Sequence, residues 1–139
     1  MTDRLHTMLA KPGRIRARIR EEELRKERLY YSLLPSGIRY DAEKVKSSPR
    51  DPMPAYIAEA EEIDELIRSL KDMLREAENE ILSVIAVLDA TEAMIIRLRY
   101  VDGLSWEKVA REVNYSRRHM FRIYRESIIK LDQSLSREK

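Results

Sequence analysis

Ten apolar side chains between residues 56 and 88 recur at alternating steps of four and three: Tyr56, Ala60, Ile63, Ile67, Leu70, Leu74, Ala77, Ile81, Val84 and Leu88. Such steps keep all of them on one side of an α-helix and define the a/d seam of a heptad repeat. A helix over those 33 residues rises about 50 Å, and alone it leaves the whole stripe in water. The fold must therefore supply a partner. One is an N-terminal helix, expected from about Arg14 to Leu34 on the strength of Ile15, Ile19, Leu24, Tyr31 and Leu34; the other is the same helix of a second subunit. Leu66, Met73 and Val87 widen the apolar face beyond a strict two-helix seam, enough to accept both partners; a homodimer is expected, with an intramolecular hairpin in a monomer as the alternative the seam leaves open.

Between the two helices, Pro35-Ser36-Gly37 ends the first, and Pro49, Pro52 and Pro54 hold off the second until Tyr56. A connection of about 20 residues is long for a small helical domain. It reads as a linker at about 35–54, with a docking segment for polymerase or another protein as the sharper alternative.

Composition agrees with an all-α chain. Of 139 residues, 43% are hydrophobic and 37% charged, and three glycines with a single phenylalanine leave little for a sheet. The absence of cysteine removes disulfide and thiolate chemistry. No run of eighteen apolar residues and no signal-peptide pattern is present, so a cytoplasmic protein is expected. There is no glycine-rich phosphate loop, no pair of catalytic carboxylates and no activated serine. Glu21 to Glu23 read as a solvated helix face, and His6 and His119 lack the partner ligands of a metal site. Neither an enzyme nor a cofactor is expected.

The net charge of +2 conceals segregation. Residues 1–20 carry six basic and one acidic side chain, residues 21–90 ten and seventeen, and residues 91–139 eleven and seven. Basic ends and an acidic middle point to nucleic acid at the ends and protein or water at the middle. Arg14, Arg16, Arg18 and Arg20 are candidates for an additional phosphate-contacting arm, although every-second-residue spacing spreads them around a helix.

The C-terminal part reads as a helix-turn-helix. Thr91 is a plausible N-cap for a helix carrying Ile95, Leu98 and Tyr100, and Asp102-Gly103 stops it. Ser105 caps a short helix with Trp106, Val109, Ala110 and Val113 at helical spacing, Glu107 sits in its favourable first turn, Asn114-Tyr115 turns the chain, and Ser116 caps the next helix. On that helix Met120, Ile123, Ser127 and Leu131 fall on one face. Arg118, Phe121, Arg122 and Arg125 fall on another, with Arg117 at its edge. Residues 116–131 hold five basic side chains and one acidic. Arginine forks match phosphate oxygens and the O6/N7 edge of guanine, and a helix fits the major groove, so this face suits double-stranded DNA; Phe121 suits a thymine methyl or a protein contact.

The run from Thr91 to Leu131 resembles the fourth domain of bacterial sigma factors, on Leu98-Arg99-Tyr100, Gly103-Leu104-Ser105, Glu107, Val109-Ala110, Ser116 and Lys130-Leu131. The resemblance implies a DNA-reading helix-turn-helix whose residues just after Ser116 enter the major groove, making Arg117, Arg118, His119, Phe121 and Arg122 contacts. With Arg125, the expected DNA-binding set is Ser116, Arg117, Arg118, His119, Phe121, Arg122 and Arg125. Asn114 stands where that family often has glycine, and Tyr115 where it has a small aliphatic residue. No stretch upstream resembles the aromatic-rich, promoter-melting domain of a sigma factor. Ile38-Arg39-Tyr40-Asp41, Glu43-Lys44-Val45, Ser47-Ser48-Pro49 and Asp51-Pro52-Met53 resemble small regulators of Gram-positive phages, the ArpU-like or RinA-like proteins.

These readings combine into an oligomerising helical region at 1–90 and a helix-turn-helix domain at 91–139. The expected function is that of a phage or prophage transcriptional regulator, binding DNA sequence-specifically as a dimer. A small terminase subunit for DNA packaging, and a protein-only adaptor docking on RNA polymerase, are the alternatives.

Overall fold

The computed structural model describes residues 1–34 and 51–138, and the regular elements among them are helices. In chain order these are α1 (Asp3–Tyr31), α2 (Met53–Val84), α3 (Ala90–Ile96), α4 (Trp106–Val113) and α5 (Arg117–Arg137). They form two compact units, one of residues 1–16 with 72–139 and the other of residues 17–71. α1 and α2 each contribute a stretch to both. The units thus divide the chain differently from a boundary after residue 90, because the first sixteen residues pack with the C-terminal helices.

α1 starts at Asp3 and not near Arg14; it runs through Pro12-Gly13, the pair that marks a break by local rules. The reason is burial. Leu5, Met8, Pro12 and Ile15 continue one helical face and are buried, and Thr2 caps the start by accepting a hydrogen bond from the Leu5 N–H at 3.2 Å. Thr2 in turn donates through its backbone N–H and its hydroxyl to Asp132 Oδ1, each at 3.0 Å, which ties α1 to α5. Burial pushes the Asp132 carboxyl up, but these hydrogen bonds and the N-terminal ammonium outweigh it and hold the group below its ordinary value.

α2 begins at Met53 rather than Tyr56, with Pro54 in the first turn, where a missing N–H costs nothing. It ends at Val84 in a single 3₁₀ turn, Ile85–Val87, so Leu88 lies beyond the helix on extended backbone. Asp89 is the N-cap of α3, in place of Thr91. Its carboxylate accepts from the Glu92 N–H at 2.9 Å while Glu92 Oε1 accepts from the Asp89 N–H at 3.1 Å, a reciprocal capping box. Glu92 is buried, and its carboxylate also takes both contacts of Lys130 Nζ, at 2.9 and 2.7 Å. That hydrogen bond is the main cause of a raised Lys130 pKa.

In the unit of residues 1–16 and 72–139, one core joins Leu5, Met8 and Leu9 of α1 to Ile81, Ile85, Ile96, Ile128, Leu131 and Leu135. The start of α1 runs antiparallel to the end of α2, since Leu5 to Leu9 share a core with Ile81 and Ile85 while Arg16 pairs with Glu78 at 3.5 Å. A second core holds Ile95, Leu98, Val109, Ala110 and Met120 and belongs to the helix-turn-helix. Neighbouring α3 residues, Ile95 and Ile96, each serve one core, which fixes the two to each other.

In the unit of residues 17–71, Ile19 and Glu22 of α1 and Ala60, Ile63, Ile67 and Leu70 of α2 are buried, and Lys26 Nζ donates to Asp64 Oδ1 at 2.7 Å. The seam is thus covered within a single chain, the hairpin form of its burial. Leu24, Tyr31 and Leu34, expected to face α2, are exposed instead, as are Met73 and Val87. Residues 35–50, with most of the phage-like motif and of the expected linker, lie outside the described residues.

Candidate nucleic-acid interface

The reading head is assembled by three closures. α3 ends in one wide π turn over Arg97–Val101, in which the Asp102 N–H reaches back to the Arg97 carbonyl at 2.9 Å. Gly103 then adopts a left-handed backbone with φ +72°, open to glycine at no steric cost. The Tyr100 and Val101 carbonyls at this helix end accept from the Arg16 guanidinium at 3.1 and 3.0 Å. Arg16 therefore caps the helix leading into the motif, a different task from that of a phosphate-contacting arm. Its guanidinium lies 3.4 Å from where a Cβ on Gly103 would stand, ordinary contact distance, so it is the positive φ that calls for glycine there.

Ser105 begins α4 by accepting from the Lys108 N–H at 3.2 Å. α4 ends at Asn114, whose φ of 63° and ψ of 40° are left-handed. The Tyr115 N–H returns to Ala110 O at 3.1 Å and the Asn114 N–H to Arg111 O at 3.2 Å, the paired bonds of a Schellman turn. Asn tolerates this backbone better than other residues with a Cβ. Ser116 Oγ accepts from the His119 N–H at 3.2 Å and starts α5.

α5 is held against the scaffold by its inward face. Met120, Ser127 and Leu131 are buried, Ile123 is half-buried, and Ile128 and Leu135 extend the contact. Ser127 satisfies its buried hydroxyl by donating to the Ile123 carbonyl at 2.8 Å. Above this lies an aromatic group centred on Trp106, whose ring centroid is 4.7 Å from Tyr124, 5.0 Å from Phe121 and 6.3 Å from Tyr100. Arg99 covers Trp106 at 4.6 Å and donates to the Leu104 carbonyl at 3.0 Å. The Tyr100 and Tyr124 hydroxyls share a 2.6 Å hydrogen bond, and burial followed by that bond pushes the Tyr124 pKa well above its ordinary value.

The outward face of α5 carries the expected DNA-binding residues in two groups. Ser116, Arg118, His119, Arg122 and Arg125 line one shallow concavity. Arg117 and Phe121 sit to its side: the Phe121 ring is half-buried on Trp106, and the Arg117 guanidinium lies over it at 5.9 Å. Phe121 thus spends much of its surface on the scaffold. Among the described residues, none of Arg117, Arg118, Arg122 and Arg125 has a carboxylate partner, whereas Arg4, Arg16, Arg25, Lys26, Arg75 and Lys130 do. Lys130, one of the five basic residues of this helix, is therefore committed to Glu92 and does not add to the free face.

The motif's order and caps decide its kind. Residues 84–132 match the family model of sigma-70, region 4. The C-terminal part of the chain is thus a helix-turn-helix like that of sigma region 4, a DNA-binding module. Comparison with curated proteins and with solved structures finds no match. The region-4-like match includes α3, α4 and most of α5 and begins at the last residue of α2.

Arg16 and Tyr115 are the residues with a part in this site that the sequence-based set omits. Arg16 is hidden by its alternation with three other arginines. Tyr115 carries a visible signal, its four-residue spacing from His119, and the two rings stack at 4.5 Å with an interplanar angle of 11°. Among the described residues no group of three or more His, Cys, Asp or Glu side chains is arranged to hold a metal, and no helix is long and apolar enough to cross a membrane.

Proposed function

We propose that the chain is a sequence-specific DNA-binding transcriptional regulator that lays the start of α5 in the major groove, with Ser116, Arg118, His119, Arg122 and Arg125 facing the duplex and Arg117 on the flanking backbone. The observation that carries the reading is the set of four exposed guanidiniums on one end of a capped helix, none of which has a carboxylate partner among the described residues. An unpaired arginine face repels itself in isolation and is compensated by phosphate. The match to sigma-70 region 4 supports the same reading. The Ser116 hydroxyl accepts from the backbone at its oxygen and keeps its own proton to donate outward.

Phage or prophage origin belongs to this proposal through the resemblance of residues 38–53 to small phage regulators. Dimerisation belongs to it as well, with one change. The heptad seam is occupied within the chain, so two copies would join through other apolar side chains, for which the exposed Leu24, Tyr30, Tyr31, Met53 and Ile57 of the 17–71 unit are the candidates. Light scattering of the chain in solution reports a mass of two copies if they do and of one copy if they do not.

A titration of labelled duplex at rising salt tests the main reading. The logarithm of the affinity falls linearly with the logarithm of salt, and replacing one phosphate-contacting arginine by alanine reduces the slope by about 0.9. An affinity for DNA that is undetectable, or insensitive to salt, contradicts it and leaves the protein-only adaptor.

A further inference from the structure

Tyr115 closes the turn before α5 and is 39% exposed. Its ring lies nearly parallel to the His119 imidazole, whose Nε2 stands 3.4 Å from the Arg122 Nη2. A guanidinium has no acceptor, so this contact is a hydrogen bond in the tautomer that leaves Nε2 free to accept it. Both ends of the stack have fixed backbones. The Tyr115 N–H is tied to Ala110 O in the Schellman turn, and the His119 N–H is tied to Ser116 Oγ. Arg122 in turn lines the concavity shared with Ser116, Arg118 and Arg125.

We propose that Tyr115 is a positioning residue for Arg122, acting through His119. The tyrosine ring holds the imidazole, the imidazole accepts from one arm of the guanidinium, and the fork is thereby set toward the base edges before DNA arrives. A free arginine side chain loses rotamer freedom when it binds, and a fork already restrained loses less. This inference rests on the DNA-binding reading above. It gives a role to the aromatic ring that stands where the sigma-factor family has a small aliphatic side chain.

The test is a double-mutant cycle of Tyr115→Ala and Arg122→Ala, with Tyr115→Phe as the conservative variant. The probe is the duplex that the unaltered full chain enriches most from a random pool. Tyr115→Ala is expected to weaken binding about tenfold, and to weaken it by less than about twofold once Arg122 is already alanine. Tyr115→Phe keeps the stack and the affinity. If Tyr115→Ala fails to fold, His119→Ala is cycled against Arg122→Ala instead: its own contact with DNA is lost in both backgrounds, and the part of its loss that vanishes once Arg122 is alanine reports the relay. Repeating the enrichment with Tyr115→Ala degrades preference at the same base pair as Arg122→Ala does. Additive losses, a Tyr115→Phe variant as weak as Tyr115→Ala, or no loss from Tyr115→Ala each overturn the relay while the DNA-binding reading stands. Failure of the unaltered chain to enrich any sequence overturns both.

Discussion

Asn114 shows how one residue's backbone decides the geometry of the site. It holds φ at 63° between α4 and α5, and the two hydrogen bonds of the Schellman turn depend on that value. The sequence marks Asn114-Tyr115 as a turn but not its conformation, because asparagine is compatible with several turn types. Asn114→Gly is expected to leave stability unchanged or raise it slightly, whereas Asn114→Ala destabilises by about 1 kcal/mol, the cost of a Cβ in the left-handed region. Thermal denaturation of the two variants checks the contrast, and equal effects would mean that the turn has another conformation. Phe121 is instructive at the same scale. Angular sorting groups it with Arg118, Arg122 and Arg125, but an angle does not reveal that Trp106 lies beside it and takes up its ring, apart from the concavity those arginines line.

At the scale of elements, what is legible in the sequence is what depends on near neighbours. The Ser105 and Ser116 caps, the inward row of α5 and the stop at Asp102-Gly103 follow from spacing and side-chain chemistry, and the structure has them all. The start of α1 is different: Pro12-Gly13 marks a break by local rules, yet the helix runs through it, with Pro12 buried and Leu5, Met8 and Leu9 sharing a core with Ile81, Ile85 and Leu131. Capping by Arg16 is likewise a contact across 84 and 85 residues of chain, invisible to any pattern within a helix. Arg16→Ala should destabilise the fold by about 1–3 kcal/mol, since two carbonyls and Glu78 lose a charged donor. The exposed Arg14 and Arg18 should change it by less than about 0.5 kcal/mol on the same replacement. Denaturant titrations of the three variants distinguish a cap from a solvated stripe; three equal values would remove the cap.

For the molecule as a whole, the heptad seam identified a long helix that cannot stand alone, and the chain itself provides the covering helix in both compact units. Pattern strength did not distinguish the two candidate partners, because a seam records only that something apolar lies opposite. The electrostatics of the folded chain also set its response to base. Tyr124 and Lys130 both have raised pKa values, so each favours the folded state in its protonated form. Their contributions are complete below the ordinary values of 10.0 and 10.5 and are lost as pH rises beyond them toward the folded-state values. Urea titrations from pH 7 upward should therefore show stability declining above about pH 10, and less steeply for Tyr124→Phe. An unchanged profile in that variant would mean that the phenol is not held as described. The α5 arginines are proposed to read DNA. Selection of bound sequences from a random pool, run on the unaltered chain and on Arg118→Ala and Arg122→Ala, tests it most directly. One enriched motif is expected for the unaltered chain, and for each variant a loss of preference at a particular base pair worth about 1–3 kcal/mol, with the fold intact. A pool that yields no motif, or the same motif from all three proteins, would contradict it.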